Sequence, residues 1–138
     1  MDEANSISSP MVGGCKLTKS GYESFSDPTL YRSVVVAWQY VTITRPEISI
    51  SVNKVRQFMS DATEQHWAAV KRILRYLAGT INFCVSFLPS STGPPFSLYA
   101  YCDADWASDP DDRRSTSGAA VFCGSNLVSW WSKKQCGC

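Results

Sequence analysis

The spacing of the apolar residues changes once along the chain, close to Gly79. Before this point they recur every three or four positions, which is typical of amphipathic helices. After it they recur at every second position, which is typical of strands in a half-buried sheet. A chain of 138 residues, 44% of them hydrophobic, is long enough for one core. We therefore predict an α+β fold in which helices come first and an antiparallel sheet follows.

Three helices are predicted between residues 27 and 80. The first begins with Asp27 as N-cap, and the second begins where Thr44 and Glu47 have the spacing of a capping box. The third begins after Thr63 and ends at Gly79. The residues expected to be buried are, helix by helix, Leu30, Val34, Ala37, Trp38 and Val41; Ile48, Val52, Val55 and Met59; and Trp67, Val70, Leu74 and Leu77.

Four strands are predicted after residue 80, at 81–88, 96–105, 118–124 and 126–132. Gly124 and Ser125 form a turn signal between the last two, which predicts a hairpin. The predicted organisation is a flexible or extended lead-in at 1–26, a helical segment at 27–80 and an incomplete sheet domain at 81–138. Because no later segment covers the second face of the sheet, we expect the chain to be part of something larger.

Composition argues against several classes of function. A net charge of +1 gives no overall preference for nucleic acid or acidic lipid. The six cysteines form no C-x-x-C pair and His66 is the only histidine, so we expect no zinc site and a surface or capping role for His66. The N-terminus is not a signal peptide, and no apolar run could span a bilayer. We expect an intracellular protein, cytoplasmic or nuclear, with free thiols and no membrane contact.

The charged residues are unevenly distributed, with a basic middle and an acidic stretch at 101–118, "YCDADWASDPDDRRSTSG". Lys71, Arg72 and Arg75 lie off the apolar stripe of the third helix, so they could follow a phosphate backbone. A solvated helix face is the alternative interpretation of these three residues.

The acidic stretch contains a possible metal site. Asp103 and Asp105 are two residues apart on a predicted strand, so their side chains emerge on the same face. A carboxylate within an apolar strand needs a partner, and Mg²⁺ is one that hard oxygen ligands suit. Three further aspartates are interpreted as loop charges paired locally with Arg113 or Arg114: Asp109, Asp111 and Asp112. A solvated acidic turn remains the alternative for the whole stretch.

Three blocks carry a resemblance to a known family: "TRPEIS", "HWAAVKRILRYLAGT" and "DADWASDPDDRRSTSG". In this order and spacing they resemble the Pol polyprotein of copia-type LTR retrotransposons. The resemblance covers nearly the whole chain. The chain is similar to the end of the reverse transcriptase with its connection segment, followed by the N-terminal part of the ribonuclease H domain.

The resemblance implies that Asp103 is the first magnesium-binding carboxylate of a ribonuclease H site and that an RNA–DNA hybrid is the partner. In that family the next carboxylate is a glutamate on a helix after the third strand, and this sequence contains no such block. The resemblance therefore implies a truncated Pol fragment, inactive by itself, with a ribonuclease H-like sheet. Two alternatives remain: a nucleic-acid-binding module that contacts the hybrid, and a ribonuclease completed by another chain.

Overall fold

The computed structural model describes residues 6–20, 22–89 and 97–136. Three α-helices and one short 3-10 helix come first and three strands follow, so the predicted α+β order is confirmed. The chain divides into two compact units, which we call the helical unit, Met1–Phe83, and the sheet unit, Cys84–Cys138. The first residue of the strand predicted at 96–105 lies outside the described residues.

Helix α1, Pro28–Val41, begins as its sequence predicts, because Asp27 Oδ1 accepts the backbone N–H of Leu30 at 2.9 Å. Its buried residues are Tyr31, Val35 and Trp38. The buried stripe is therefore rotated from the predicted one, and Leu30 is 42% exposed. Tyr31 fixes this rotation, since its hydroxyl donates to the carbonyl oxygen of Val55 at 2.7 Å. An aromatic side chain with one polar atom can be buried when that atom finds such an acceptor.

The second predicted helix forms in two pieces, a 3-10 turn at Pro46–Ile48 followed directly by α2, Ser49–Arg56. The predicted capping box is wrong, since neither piece has a side-chain cap. The hydroxyl of Thr44 donates backwards to the carbonyl oxygen of Val41, and Glu47 forms an ion pair with Arg45. The buried residues of these pieces include three that the sequence predicts: Ile48, Val52 and Val55.

Arg45 is a buried charge that joins the start of this second helix to the end of the third. Its guanidinium donates to the carboxylate of Glu47 and to the hydroxyl of Thr80. It also lies 5.9 Å from the ring centre of Tyr76 and 5.8 Å from that of Phe83. These partners offset the cost of removing the charge from water.

Helix α3, Glu64–Gly79, buries His66, Val70, Ile73 and Tyr76. Three predicted residues are instead half-buried and pack against this core: Trp67, Leu74 and Leu77. The lead-in has no helix or strand between residues 6 and 20, yet Leu17 is buried in the same core. At Gly79 a Cβ atom would lie 2.5 Å from the Cβ of Ser6, so this glycine allows the lead-in to approach the helix closely.

The sheet unit contains one antiparallel sheet in the order β1-β2-β3, with β1 at Leu98–Asp105, β2 at Thr116–Cys123 and β3 at Asn126–Lys134. The hairpin between β2 and β3 is confirmed, and Gly124 at its turn has a φ of 58° that favours glycine. A register shift interrupts the β2–β3 pairing at Val121/Phe122, whereas the β1–β2 pairing is unbroken. No residue of the three strands is buried.

The strand predicted at 81–88 is wrong, because this stretch is irregular. Its large apolar side chains are exposed, with Ile81 at 79% and Phe87 at 67%. The side chain of Asn126 binds both the N–H and the carbonyl oxygen of Leu88, at 2.7 and 2.8 Å. An alternating pattern makes a strand only where a neighbouring strand can pair with it, and here a single side chain supplies the hydrogen bonds.

Candidate functional site

The two carboxylates of the candidate metal site lie near the end of β1. Asp103 pairs with Gly118 of β2, and Asp105 pairs with Thr116. Gly118 in turn pairs with Ser132 of β3, so the residues next to Asp103 across the sheet are small. The two aspartates share a face, as the sequence predicts.

Asp103 is exposed, so the expectation of a costly carboxylate within an apolar strand is wrong. Its Oδ1 accepts the backbone N–H of the next residue, Ala104, at 2.8 Å. Because the carboxylate is exposed, it carries no burial cost that a cation would have to offset.

A site that holds two metal ions needs more ligands than this pair supplies. In the three described ranges, no group of three or more His, Cys, Asp or Glu side chains could hold a metal ion. A two-metal site that hydrolyses a phosphodiester holds both ions with several carboxylates. The residues described around Asp103 therefore do not fit such a site.

The three later aspartates belong to a loop between β1 and β2, residues 106–115, which we call the acidic loop. Lys134 from the end of β3 donates to Asp109 Oδ2 at 2.6 Å and lies 2.9 Å from Asp112 Oδ2. Asp109 Oδ1 accepts the backbone N–H groups of Asp111 and Asp112. The expected pairing with Arg114 is present only as a longer contact to Asp112, at 3.4 Å. A lysine 25 residues away thus organises the loop.

The ion pairs shift the pKa values of all three groups. Partial burial would raise the pKa of Asp109, but the hydrogen bonds from Lys134 and the backbone outweigh it and hold that pKa below its ordinary value. The hydrogen bond from Lys134 likewise lowers the pKa of Asp112. Partial burial would lower the pKa of Lys134, yet its two carboxylate partners raise it. All three groups are therefore held in their charged forms.

The backbone of the acidic loop is tightly bent. Ala107 has a φ of 49° and Arg113 a φ of 57°, both in the left-handed region. The N–H of Ala107 donates to the hydroxyl of Ser115, and the N–H of Arg113 donates to the carbonyl oxygen of Asp109. The bend leaves Trp106 85% exposed beside Asp105. These hydrogen bonds define the path of the loop, while four of its charged residues remain exposed: Asp111, Asp112, Arg113 and Arg114.

The basic residues of α3 have different environments. Lys71 is exposed and Arg75 is half-exposed. The guanidinium of Arg72 donates to the hydroxyl of Ser9 in the lead-in at 3.2 Å. Arg72 therefore holds the lead-in against α3, and Lys71 is the most accessible of the three for a phosphate.

His66 is fully buried, so of its two expected roles the surface one is wrong and the capping one is confirmed. Its Nδ1 accepts the backbone N–H of Thr63 at 3.0 Å, and its Nε2 lies 3.0 Å from the carbonyl oxygen of Thr18. Because that carbonyl can only accept, Nε2 carries the proton and donates it. The ring also stacks on Phe58 with 3.8 Å between ring centres. His66 therefore joins the lead-in to the start of α3.

Comparison with known proteins gives a consistent set of relatives. The retrovirus-related Pol polyprotein from transposon RE1 of Arabidopsis thaliana is 47% identical over 137 residues, which are 99% of this chain and 9% of that polyprotein. The one from transposon TNT 1-94 of Nicotiana tabacum is 35% identical over an alignment of 142 positions, which covers 98% of this chain and 10% of the polyprotein. The chain spans about a tenth of the length of these two relatives.

A shorter protein is also similar. Secreted RxLR effector protein 161 of Plasmopara viticola is 43% identical over 106 residues, which are 76% of this chain and 72% of that protein. No protein-family model matches the chain. No solved structure matches it either.

Proposed function

We propose a function for this chain on the basis that it belongs to the family of copia-type retrotransposon Pol polyproteins. In this proposal it corresponds to the end of the reverse transcriptase with its connection segment, followed by the N-terminal, ribonuclease H-like sheet of the next domain. The order of elements supports this proposal, because three helices precede an antiparallel sheet whose first strand carries Asp103. In this proposal Asp103 is the first carboxylate of the ribonuclease H site.

The proposal includes that the chain by itself does not cleave an RNA–DNA hybrid. The observation that carries it is the isolation of Asp103 and Asp105, for which the described residues offer no third metal ligand. In-line hydrolysis with two metal ions needs several carboxylates, so two exposed ones are too few. Mg²⁺ binds weakly at this pair, because it keeps most of its water when few protein ligands are available.

The first experiment is a cleavage assay on a labelled RNA–DNA hybrid with Mg²⁺ or Mn²⁺. It compares the unchanged chain with Asp103→Asn and with Asp111→Asn, which removes the same charge from the acidic loop. We expect no cleavage by any of the three. Cleavage by the unchanged chain and by Asp111→Asn, but not by Asp103→Asn, would show that a working site forms and would overturn the proposal.

A second candidate function is binding of nucleic acid by the helical unit. The helical unit, residues 1–83, contains nine Lys and Arg against seven Asp and Glu, a net charge of +2. Residues 84–138 contain four Lys and Arg against five Asp. The net charge of +1 for the whole chain is therefore the sum of a mildly basic helical unit and a slightly acidic sheet unit. This difference favours contact between the helical unit and a phosphate backbone.

A salt titration of binding to the same hybrid tests this second function. Each phosphate contact contributes about 0.9 to the slope of log affinity against log salt. We expect Lys71→Gln with Arg75→Gln to lower the slope by about 2. Arg113→Gln with Arg114→Gln, which removes two charges from the sheet unit, serves as the matched control. An equal loss in both double variants would contradict a site on α3.

For its location we propose the interior of the cell. Five described cysteines, Cys15, Cys84, Cys102, Cys123 and Cys136, are free, which a reducing compartment favours. Separately, no helix in the described part of the chain is long and apolar enough to cross a membrane. Imaging of a fluorescent fusion would test the location, and a secreted product would contradict it.

A further inference from the structure

We infer that protonation of His66 releases the lead-in from the start of α3. His66 is the only histidine of the chain, and its side chain is fully buried. The lead-in at Thr18, the N-cap of α3 at Thr63 and the stretch after α2 at Phe58 all meet at its ring. A change in the charge of this one ring therefore acts on all three segments.

The hydrogen bonds of the ring require its neutral form. Nδ1 accepts the backbone N–H of Thr63 at 3.0 Å, and Nε2 donates to the carbonyl oxygen of Thr18 at 3.0 Å. A protonated imidazole carries a hydrogen on both nitrogens, so Nδ1 can no longer accept. The hydroxyl oxygen of Thr63, 3.1 Å from Nδ1, can take the new hydrogen, but the backbone N–H then loses its acceptor. Protonation thus breaks one half of the capping box of α3.

Two further features of the site oppose a positive charge on the ring. His66 is the third residue of α3, and the N–H groups at the start of a helix give that end a partial positive charge. The ring is also fully buried, where a cation is costly. The nearest charged residues of the segments around the ring are exposed, so water weakens their effect on it: Lys19, Glu23, Arg32, Arg56, Asp61 and Glu64.

The effect on stability follows from the protons that each state binds. A histidine in an unfolded segment takes up a proton as the pH falls through about 6.5. The closed structure keeps His66 neutral, so below this pH the open state binds one proton more. The equilibrium constant for opening then rises by up to about tenfold for each further pH unit. Above about pH 6.5 both states are neutral at this residue, and its stabilising contribution is complete.

The lead-in is the segment that gives way. Between residues 6 and 20 it contains no helix or strand. Arg72 holds it near the end of α3, and His66 holds it near the start. Arginine keeps its charge throughout the range in which histidine titrates, so of these two contacts only the second depends on pH. The protonated ring reaches water when Thr18 moves away, and Leu17 then leaves the core.

The experiment measures urea unfolding of the full chain and of His66→Gln from about pH 7 to about pH 5, the range in which histidine titrates. Glutamine at this position completes a capping box with Thr63 and does not titrate. Other groups titrate alike in both proteins, so the ratio of their unfolding constants isolates His66. We expect the unfolding constant of the unchanged chain to rise about tenfold relative to that of His66→Gln. The same pH dependence in both proteins would overturn the inference.

Hydrogen exchange at about pH 5 shows which segment opens. Both proteins are compared at the same pH, so the intrinsic exchange rates cancel. Amides around Leu17 and Thr18 should exchange faster in the unchanged chain than in His66→Gln, and those of α1 should exchange equally in both. Equally faster exchange in α1 and in the lead-in would mean unfolding of the whole unit and would contradict release of the lead-in.

The ring resonances of His66 give a measurement that needs no variant, because no other histidine contributes to them. The signal of the closed structure should keep its neutral position as the pH falls, and a protonated signal should grow as the amides around Thr18 begin to exchange faster. A ring that becomes protonated near pH 6.5, the ordinary value for histidine, without faster exchange in the lead-in would overturn the inference.

Discussion

The helical unit and the sheet unit hold their shape by different means. Each of the twelve buried hydrophobic residues of the described chain, from Leu17 to Tyr76, lies in the helical unit. The sheet unit pairs its strands over a continuous register, yet none of its strand residues is buried. The difference teaches that hydrogen-bond pairing is enough to set a register, whereas burial of apolar surface supplies most of the free energy of unfolding. A sheet without a covered face is marginally stable.

The largest expected effect tests whether buried side chains contribute more to the free energy of unfolding in the helical unit than exposed ones do in the sheet unit. Ile73 is fully buried, and Ile73→Ala should lower the free energy of unfolding by about 3 kcal/mol through the cavity that it leaves. Leu98 on β1 is 68% exposed, and Leu98→Ala should cost less than about 0.5 kcal/mol. Urea unfolding followed by circular dichroism measures both. If both variants lose the same free energy of unfolding, the comparison fails, since this would mean that Leu98 of β1 is buried in solution.

The next effect concerns the side chains that stabilise the starts of α1 and α3. His66→Ala removes the bonds to Thr63 and Thr18 and leaves the partly buried carbonyl oxygen of Thr18 without its donor, which should cost about 2 kcal/mol. Asp27→Ala removes an exposed cap of α1 and should cost about 1 kcal/mol. Thermal unfolding of both variants measures the two losses of stability. A smaller loss for His66→Ala than for Asp27→Ala would argue against its role as the link between lead-in and α3.

The smallest effect concerns the ion pairs of the sheet unit. The pKa values of Asp109 and Asp112 are lowered, so their stabilising contribution is complete above about pH 4 and is lost as the pH falls through the lowered values. The pKa of Lys134 is raised, so its contribution is complete below about pH 10.5 and is lost above it. The acidic loop should therefore keep its structure through the neutral range.

Hydrogen exchange of the loop amides against pH measures this effect. Lys134→Met should speed exchange at Asp111 and Asp112 at neutral pH, because Asp109 loses its cation partner. Lys133→Met, one position away, is the control and should leave these amides unchanged. If Lys134→Met has no effect on them, the loop is held by its backbone bends alone.

The sequence predicts features that depend on neighbouring residues better than those that depend on distant ones. Asp27 and Thr63 were placed correctly because an N-cap acts within one turn of its own helix. The buried stripe of α1 is predicted wrongly from the sequence, since Tyr31 is buried only because the carbonyl oxygen of Val55 accepts its hydroxyl. Nothing near residue 31 in the sequence announces that acceptor.

The candidate site follows the same rule. Alternation along a strand places Asp103 and Asp105 on one face, and the structure agrees. Their exposure could not be foreseen, because it depends on what covers the sheet. Lys134 is the partner that sequence reasoning missed, and only the register of β2 with β3 brings it beside Asp109. The strand expected at 81–88 failed for the same reason, since pairing requires a neighbour that composition does not reveal.

The irregular stretch at 81–88 has a consequence for proteolysis. It contains Phe83, Phe87 and Leu88, all more than half exposed, and the boundary between the two units falls after Phe83. A protease that prefers large apolar side chains finds there an accessible backbone without regular secondary structure. Chymotrypsin would thus find a cleavage site in this stretch, as it would at the exposed Trp106 of the acidic loop, whereas Tyr31 and Trp38 would be spared because they are buried.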